Sequence, residues 1–314
     1  MPLKDFLTEI DQSVRAVLDS SFTVEIIDTK TVPSFSDSDL TFDNIDSKTK
    51  KCKRLESCVL YIDIRNSAAI STEKKPRTLS KLYSAFIRSM IKAAKYYGGH
   101  VRNVIGDRVM VVFDQDKCYT NAVNTAILMN TIAHHIIDKR YSDTFECGIG
   151  IDYGQMLVTK AGEIRRGDQA EFYRSLVWLG RPANIASRLT DLAKKTVSTT
   201  THGARVGRYY PFSKEWLWFN ESYAEFLDDF SPNYSGQLTH KDPHFCTFYR
   251  TSWSTKKEYP AILITEAVFA GYKAENPNDK SITEGWWKKQ SVSIKEYSGT
   301  VYGGAAYFTA VDQI

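Results

Sequence analysis

The chain has no concentrated block of one charge. Its 41 Lys and Arg offset 37 Asp and Glu to a net charge of only +4. The basic stripe of a dedicated nucleic-acid binder is therefore missing. No apolar run approaches the about 20 residues that a membrane-spanning helix needs, and the first residues lack the apolar segment of a secretory leader. These absences predict a cytoplasmic protein with neither a nucleic-acid nor a membrane partner. The five cysteines, Cys52, Cys58, Cys118, Cys147 and Cys246, are odd in number and show no zinc-type spacing. Reduced thiols are the expectation. Internal repeats and low-complexity tracts are absent too. What remains is 314 residues with 42% hydrophobic content, enough for one large domain or two ordinary ones.

Periodicity sets out the elements. Phe6, Ile10, Val14 and Val17 recur at helical spacing and predict an amphipathic helix over 3–19. Residues 34–53 read as a polar linker or irregular arm, and 57–64 as a strand. Leu79, Leu82, Phe86, Met90 and Ala94 predict a helix over 77–97, stopped by Gly98 and Gly99. Two β-rich runs, 100–106 and 108–113, form a hairpin around Gly106 and Asp107. A helix over 119–138 follows, then strands at 145–151 and 155–159 joined at 152–154. A strand at 174–179 leads into a helix over 182–194, with Pro182 near its first turn. This order suits an α+β fold, an antiparallel sheet with packed helices. The division is an N-terminal helix and arm (1–54), a core (55–194), an aromatic-rich insertion (195–258) and C-terminal strands completing the core (259–314). A separate C-terminal domain is the alternative. Trp216 and Trp218 read as the insertion's own core. Residues 292–295 and 305–308 read as a terminal hairpin.

Three segments carry chemistry. Asp63 ends the apolar run Val59, Leu60, Tyr61, Ile62; Asp107 sits at the hairpin tip; Gly180, Asn184, Arg188 and Leu189 follow later. Paired carboxylates can hold two divalent metals, and a later Asn and Arg can steady charge on a phosphoryl group. Taken singly, Asp63 reads equally as a helix cap, Gly106-Asp107 as an ordinary turn, and Asn184 with Arg188 as a solvated helix face. Their conjunction in order points to a metal-dependent enzyme acting on a nucleoside triphosphate.

These residues resemble the class III nucleotidyl cyclases, the adenylate and guanylate cyclase family. Tyr61-Ile62-Asp63-Ile64 resembles its first metal segment. Gly98, Gly99, Val101, Gly106 and Asp107 match Gly-Gly-x-Val-x-x-x-x-Gly-Asp, and Gly180, Asn184, Arg188 and Leu189 match Gly-x-x-x-Asn-x-x-x-Arg-Leu. The resemblance implies two Mn²⁺ or Mg²⁺ ions held by Asp63, Ile64 and Asp107. It also implies a nucleotide contacted by Ile64, Asn103 and Lys295, with Asn184 on the ribose and Arg188 on the α-phosphoryl group. Lys295 alone reads equally as a surface lysine. The backbone of the 64–68 turn is expected to cradle phosphate, and Arg165 and Arg166 to line the site or stand in a solvated loop. A head-to-tail homodimer with two shared sites is implied.

The departures concern the base. At the two family positions that read a purine, this chain has Asn103 and Val177. Val177 cannot hydrogen-bond a base through its side chain, so neither purine code is present. Asn103 offers donor and acceptor, compatible with a pyrimidine edge. At 65–68, Arg-Asn-Ser-Ala replaces the usual x-Gly-Phe-Thr/Ser. The chain thus resembles the pyrimidine cyclases of the Pycsar antiphage system, whose cyclic UMP or cyclic CMP activates a separate effector protein. UTP is the preferred reading over CTP. An adenylate cyclase with an unusual pocket and a silent cyclase-like binding module are the rivals.

Overall fold

The computed structural model describes residues 1–141, 145–162 and 174–313. It divides into two compact units. One is Met1–Lys195 with Tyr259–Ile314; the other is Thr196–Glu258.

In the first unit, α1 (Leu3–Leu18) follows the predicted apolar period but buries none of its residues. β1 (Thr23–Thr29) runs parallel to the first half of β2 (Thr49–Ile64). The arm read as irregular thus ends inside a strand. Four basic residues among Lys50–Arg54 hid that strand, while Cys52 and Leu55 point inward and are buried. Then come α2 (Ser67–Glu73), α3 (Pro76–Tyr96), β3 (Gly99–Ile105), β4 (Arg108–Phe113) and α4 (Cys118–Thr131). α4 continues through a π-helical turn, Ile132–Asp138, into the short α5 (Lys139–Tyr141). β5 (Cys147–Gly162), β6 (Arg174–Leu179) and α6 (Arg181–Leu192) follow.

β5 corrects the expected break at 152–154. It pairs without interruption with β2 from Ile64↔Cys147 to Lys53↔Val158. The polar residue that suggested a turn, Asp152, is fully buried and accepts a hydrogen bond of 2.7 Å from Thr265 Oγ1.

The second unit holds β7 (Thr196–Tyr210), β8 (Glu215–Ser222), α7 (Tyr223–Asp228), β9 (Phe230–Pro232), β10 (Leu238–His240) and β11 (Phe245–Glu258). β11, β7 and β8 form a three-stranded antiparallel sheet. Its cluster is Ala204, Val206 and Phe226, with Phe230 and Phe245 against them. Ser222 caps α7 reciprocally with Glu225.

The chain then re-enters the first unit with β12 (Ile262–Thr265), α8 (Glu266–Glu275), α9 (Lys280–Thr283), β13 (Lys288–Gln290) and β14 (Val301–Gly304). The terminal hairpin lies elsewhere than expected: β13 pairs with β14, and 292–295 is no strand. The nine-stranded sheet runs β13-β14-β12-β5-β2-β4-β3, with β1 on β2 and β6 on β5.

Both faces of this sheet are covered. Phe86 and Met90 of α3, Ala126 and Met129 of α4 and Val268 of α8 pack on Leu60, Ile62, Val111, Ile149 and Ile264. Each large side chain so buried contributes about 1.5–3 kcal/mol. On the other face Ala183 and Ala186 of α6 meet Leu55, Val59, Met110 and Met156. α6 lies very close: a Cβ on Gly150 of β5 would sit 2.3 Å from the Ala186 carbonyl oxygen. That glycine permits the approach that sets α6 beside the ends of β2 and β4.

Candidate active site

The ladder between β2 and β4 stops at Ile62↔Val109. Asp63 lies just beyond on β2, still paired with Gly148 of β5 but free of β4, and Asp107 lies just beyond on the β3–β4 turn. Gly106 turns the β3–β4 hairpin with φ +62°, the left-handed conformation a tight two-residue turn requires. The chain after Asp63 turns at Asn66, φ +55°, immediately before α2. Asn tolerates that conformation best among side-chain-bearing residues, so it stands in for the glycine of the resembling turn.

Asp107 is partly buried. Its carboxyl is pushed above the usual range by burial first and then by the negative charge of Asp63. One of its oxygens, Oδ2, is buried with no hydrogen-bond partner. Two interacting acids with an orphaned oxygen form a donor set that fits a hard divalent cation. Ile64 beside them is 3% exposed, and its apolar side chain leaves only its main-chain carbonyl to offer.

Sequence reasoning missed Arg108. Its Nε and Nη2 donate to Asp63 Oδ2 at 3.2 and 2.7 Å, its Nη1 donates to Ser187 Oγ at 2.8 Å, and it pairs with Asp191. Ser187 and Asp191, one helical turn apart on α6, were missed as well. The signal was present: a cation directly after Asp107, and an i, i+4 polar pair interleaved with Asn184 and Arg188. Arg65 also ties the strand end to α6, donating to the carbonyls of Thr190 and Asp191 at 2.8 and 3.1 Å.

Asn184 is exposed on α6, and Arg188 follows one turn later. Arg188 donates to the main-chain oxygen of Lys295 and pairs with Glu296 at 3.2 Å. Lys295 is exposed in a tight turn closed by the Ile294↔Tyr297 bridge, with Glu296 at φ +67°. Its main chain therefore joins Arg188, although the strand expected to carry it is absent. Among the described residues, no hydrogen bond or ion pair links Asp63 or Asp107 to Asn184, Arg188 or Lys295. Arg188 and Lys295 are joined directly, while Asp63 reaches the helix of Asn184 and Arg188 through Arg108, by way of Ser187 and Asp191; these make two groups, the aspartates with Ile64 and the α6 residues with Lys295.

Asn103 lies apart from both, on β3. It lines a cleft of about 310 Å³ with Phe35, Val101, Arg102, Ser175 and Leu176. Arg102 beside it has a buried Nε without a hydrogen-bond partner, and burial lowers its pKa. Val177 sits in β6 opposite Thr159. Arg165 and Arg166 lie outside the described residues. No helix is long and apolar enough to cross a membrane among the described residues.

One metal-like trio occurs elsewhere, in the second unit: Glu221, Asp229 and His240. Arg208 already supplies it with a cation, bonding Glu221 at 2.7 Å and lying 3.9 Å from Asp229. His240 Nδ1 accepts from the Asp242 amide at 3.0 Å, which leaves the proton of a neutral ring on Nε2 and no lone pair there for a metal.

Comparison with known proteins follows the same segments. Residues 50–212 match the family described as adenylate and guanylate cyclase catalytic domain. The chain is 31% identical over 182 residues to a protein named uridylate cyclase from Burkholderia cepacia, covering 56% of this chain and 74% of that one. A uridylate cyclase from Gulbenkiania mobilis is 27% identical over 221 residues, covering 64% of this chain and 79% of its own length. Among solved structures, the adenylyl cyclase CyaB from P. aeruginosa is similar over 80% of this chain and 94% of that one, at 18% identity and a TM-score of 0.47.

Proposed function

This chain belongs to the adenylate and guanylate cyclase catalytic-domain family, and we propose that it converts a pyrimidine nucleoside triphosphate, UTP by preference, to the 3′,5′-cyclic mononucleotide and pyrophosphate. The observation that carries this reading is the Asp63–Asp107 pair with its orphaned buried oxygen at the end of the β2–β4 ladder. Two divalent ions, Mn²⁺ or Mg²⁺, bound there supply activation of the ribose 3′-hydroxyl and neutralisation of the phosphates.

The residues of the chain do the rest. Asp63, the Ile64 carbonyl and Asp107 would hold those ions at the end of the β2–β4 ladder. Asn184 holds the ribose, and Arg188 offsets the charge that grows on the α-phosphoryl group as the α–β bond breaks. Lys295 takes the outer phosphates. Membership of the family supports a head-to-tail homodimer. Each site then takes its aspartates from one copy and Asn184, Arg188 and Lys295 from the other. Arg188 leaves the Lys295 carbonyl and Glu296 to reach substrate.

Asn103 reads the base from its cleft. That volume lies at the small end of ligand pockets, and Val177 offers no partner to a purine edge. The names of the two uridylate cyclases support uracil over cytosine. Because the Asn103 amide can present either its oxygen or its nitrogen, CTP is the second reading. The product then acts as a second messenger read by a separate effector protein, in antiphage defence.

Incubation of the purified protein with all four triphosphates at equal concentration and Mn²⁺, with products resolved by mass spectrometry, tests the proposal. Cyclic UMP should dominate; mainly cyclic AMP or cyclic GMP overturns the base reading, and no product overturns the enzyme. Asn103→Ala should lower kcat/KM for the preferred triphosphate by roughly 10- to 100-fold, the cost of one or more unpaired buried groups.

A further inference from the structure

The second unit keeps its core on one side of its sheet and leaves the other side unusual. Residues paired across antiparallel strands share a face. Tyr209 pairs with Trp216, Gly207 with Trp218 and Thr247, Arg205 with Asn220 and Tyr249, and Thr201 with Trp253. Five aromatic rings therefore stand on one face, opposite the face of Ala204 and Val206. They are not that unit's core, as the sequence suggested: Trp216 is 50% exposed, Trp218 41% and Tyr249 49%.

The rings form a continuous surface. Trp216 and Trp218 stack with centroids 6.2 Å apart, and Trp218 meets Tyr249 at 5.5 Å and Tyr209 meets Trp216 at 5.4 Å. Glycines let them lie down on the sheet. A Cβ on Gly207 would sit 3.0 Å from the Trp218 ring, and one on Gly203 would sit 2.8 Å from the Trp253 ring. Glycine inside a strand weakens it and marks close approach; here the approach is by an indole plane. Large flat exposed rings gain little for folding, so their use lies outside the fold.

Charge narrows the occupant. Arg205 lies over the Trp218 ring at 6.0 Å. The carboxylates of these strands, Glu215, Glu221 and Glu258, pair with Tyr210, Ala204 and Thr196 and so point to the opposite face. The aromatic face carries cation, hydroxyl and amide groups but no strand acid. A second copy of the same face would bring no strand acid to receive Arg205. A proline-rich segment prefers a groove between upright rings, and Trp216 and Trp218, whose planes differ by only 20°, make none between them. We infer that this face binds single-stranded nucleic acid, its bases stacking on Trp216, Trp218 and Tyr249 and its phosphates meeting Arg205. The opposite face mixes Arg208, Arg250 and Lys256 with its three acids, so the aromatic face differs from it in lacking acids.

Fluorescence anisotropy of a labelled, roughly 12-nucleotide oligo-U or oligo-dT strand with the full-length protein tests it, with quenching of tryptophan emission as a second readout. Trp218→Ala should weaken binding about tenfold or more, the loss of one stacked base, while Trp218→Phe keeps most of it. Arg205→Gln should reduce the salt slope of log K by about 0.7. Trp216→Ala, at a half-exposed position, decides the matter if Trp218→Ala does not fold. Absence of binding by the wild type, equal binding of duplex, or unchanged binding in both alanine variants overturns the inference. So does a sedimentation result in which the alanine variants lose self-association instead, or capture of a proline-rich peptide in place of the oligonucleotide.

Discussion

The two sheets of this chain use similar residues to opposite ends. In the nine-stranded sheet both faces are covered, by α3, α4 and α8 on one side and α6 on the other. Polar chemistry is therefore forced to the strand ends, where Asp63 and Asp107 emerge as hydrogen bonding between β2 and β4 stops. In the three-stranded sheet of the second unit one face stays open, and its aromatic rings meet solvent. The candidate site in the first region is marked by where a strand ends. What stands out in the second is which face is left uncovered.

The largest effect separates the acids from everything around them. Asp63→Asn or Asp107→Asn changes charge with almost no change of shape. Either should lower cyclase turnover by roughly 10³-fold, several kcal/mol of lost charge stabilisation, with thermal unfolding nearly unmoved. Turnover at the wild-type level in either variant would remove the metal site from the strand ends.

Mixing variants tests whether the two residue groups serve one site. Asp63→Asn and Arg188→Ala should each be inactive alone. Mixed in equal amounts and allowed to exchange, they should recover about one quarter of wild-type activity. Half the dimers are then mixed, and each mixed dimer holds one intact site of two. No recovery in verified mixed dimers places each site within a single chain.

Stability should divide along the same line. Phe86 is fully buried against Phe145, so Phe86→Ala should cost about 3–5 kcal/mol in chemical denaturation. Trp216→Ala removes a larger side chain but a half-exposed one, and should cost under about 1 kcal/mol. Equal costs would mean that the aromatic face is structural after all.

This contrast explains what could be read beforehand. The strand end at Asp63 and the hairpin tip at Asp107 were legible because they depend on local geometry that residue types reveal: an apolar strand, then Asp; a glycine at a hairpin tip, then Asp. The helix of Asn184 and Arg188 was legible for its four-residue step. Arg108 was not, because its role depends on three partners, Asp63, Ser187 and Asp191, that are distant in sequence. The single strand β5 was misread because Asp152 resembles a turn residue until Thr265 is brought to it by the parallel β12. Trp216 and Trp218 were misread because hydrophobic type predicts burial, and only strand pairing tells which face is covered.

The smallest effect concerns two carboxyls and has opposite signs in the two regions. Asp152 in the first unit is fully buried, and burial raises its pKa above 3.8 despite the hydrogen bond from Thr265. A raised acid contributes stability that is present below its ordinary value and lost as pH rises through its folded value. Glu225 in the second unit is held below 4.5 by the Ser222 amide and then by its hydroxyl. Its contribution is present above that value and lost as pH falls through the folded one. Asp152→Asn should therefore gain thermal stability relative to wild type as pH rises from about 4 to about 8, with the two curves converging at the acid end. Glu225→Gln should differ from wild type at neutral pH and converge with it in acid. Its difference should be slight, because Glu225 is solvated and its cap is screened. Melting curves recorded across that range decide it: an Asp152→Asn curve parallel to wild type would show that burial there carries no proton linkage.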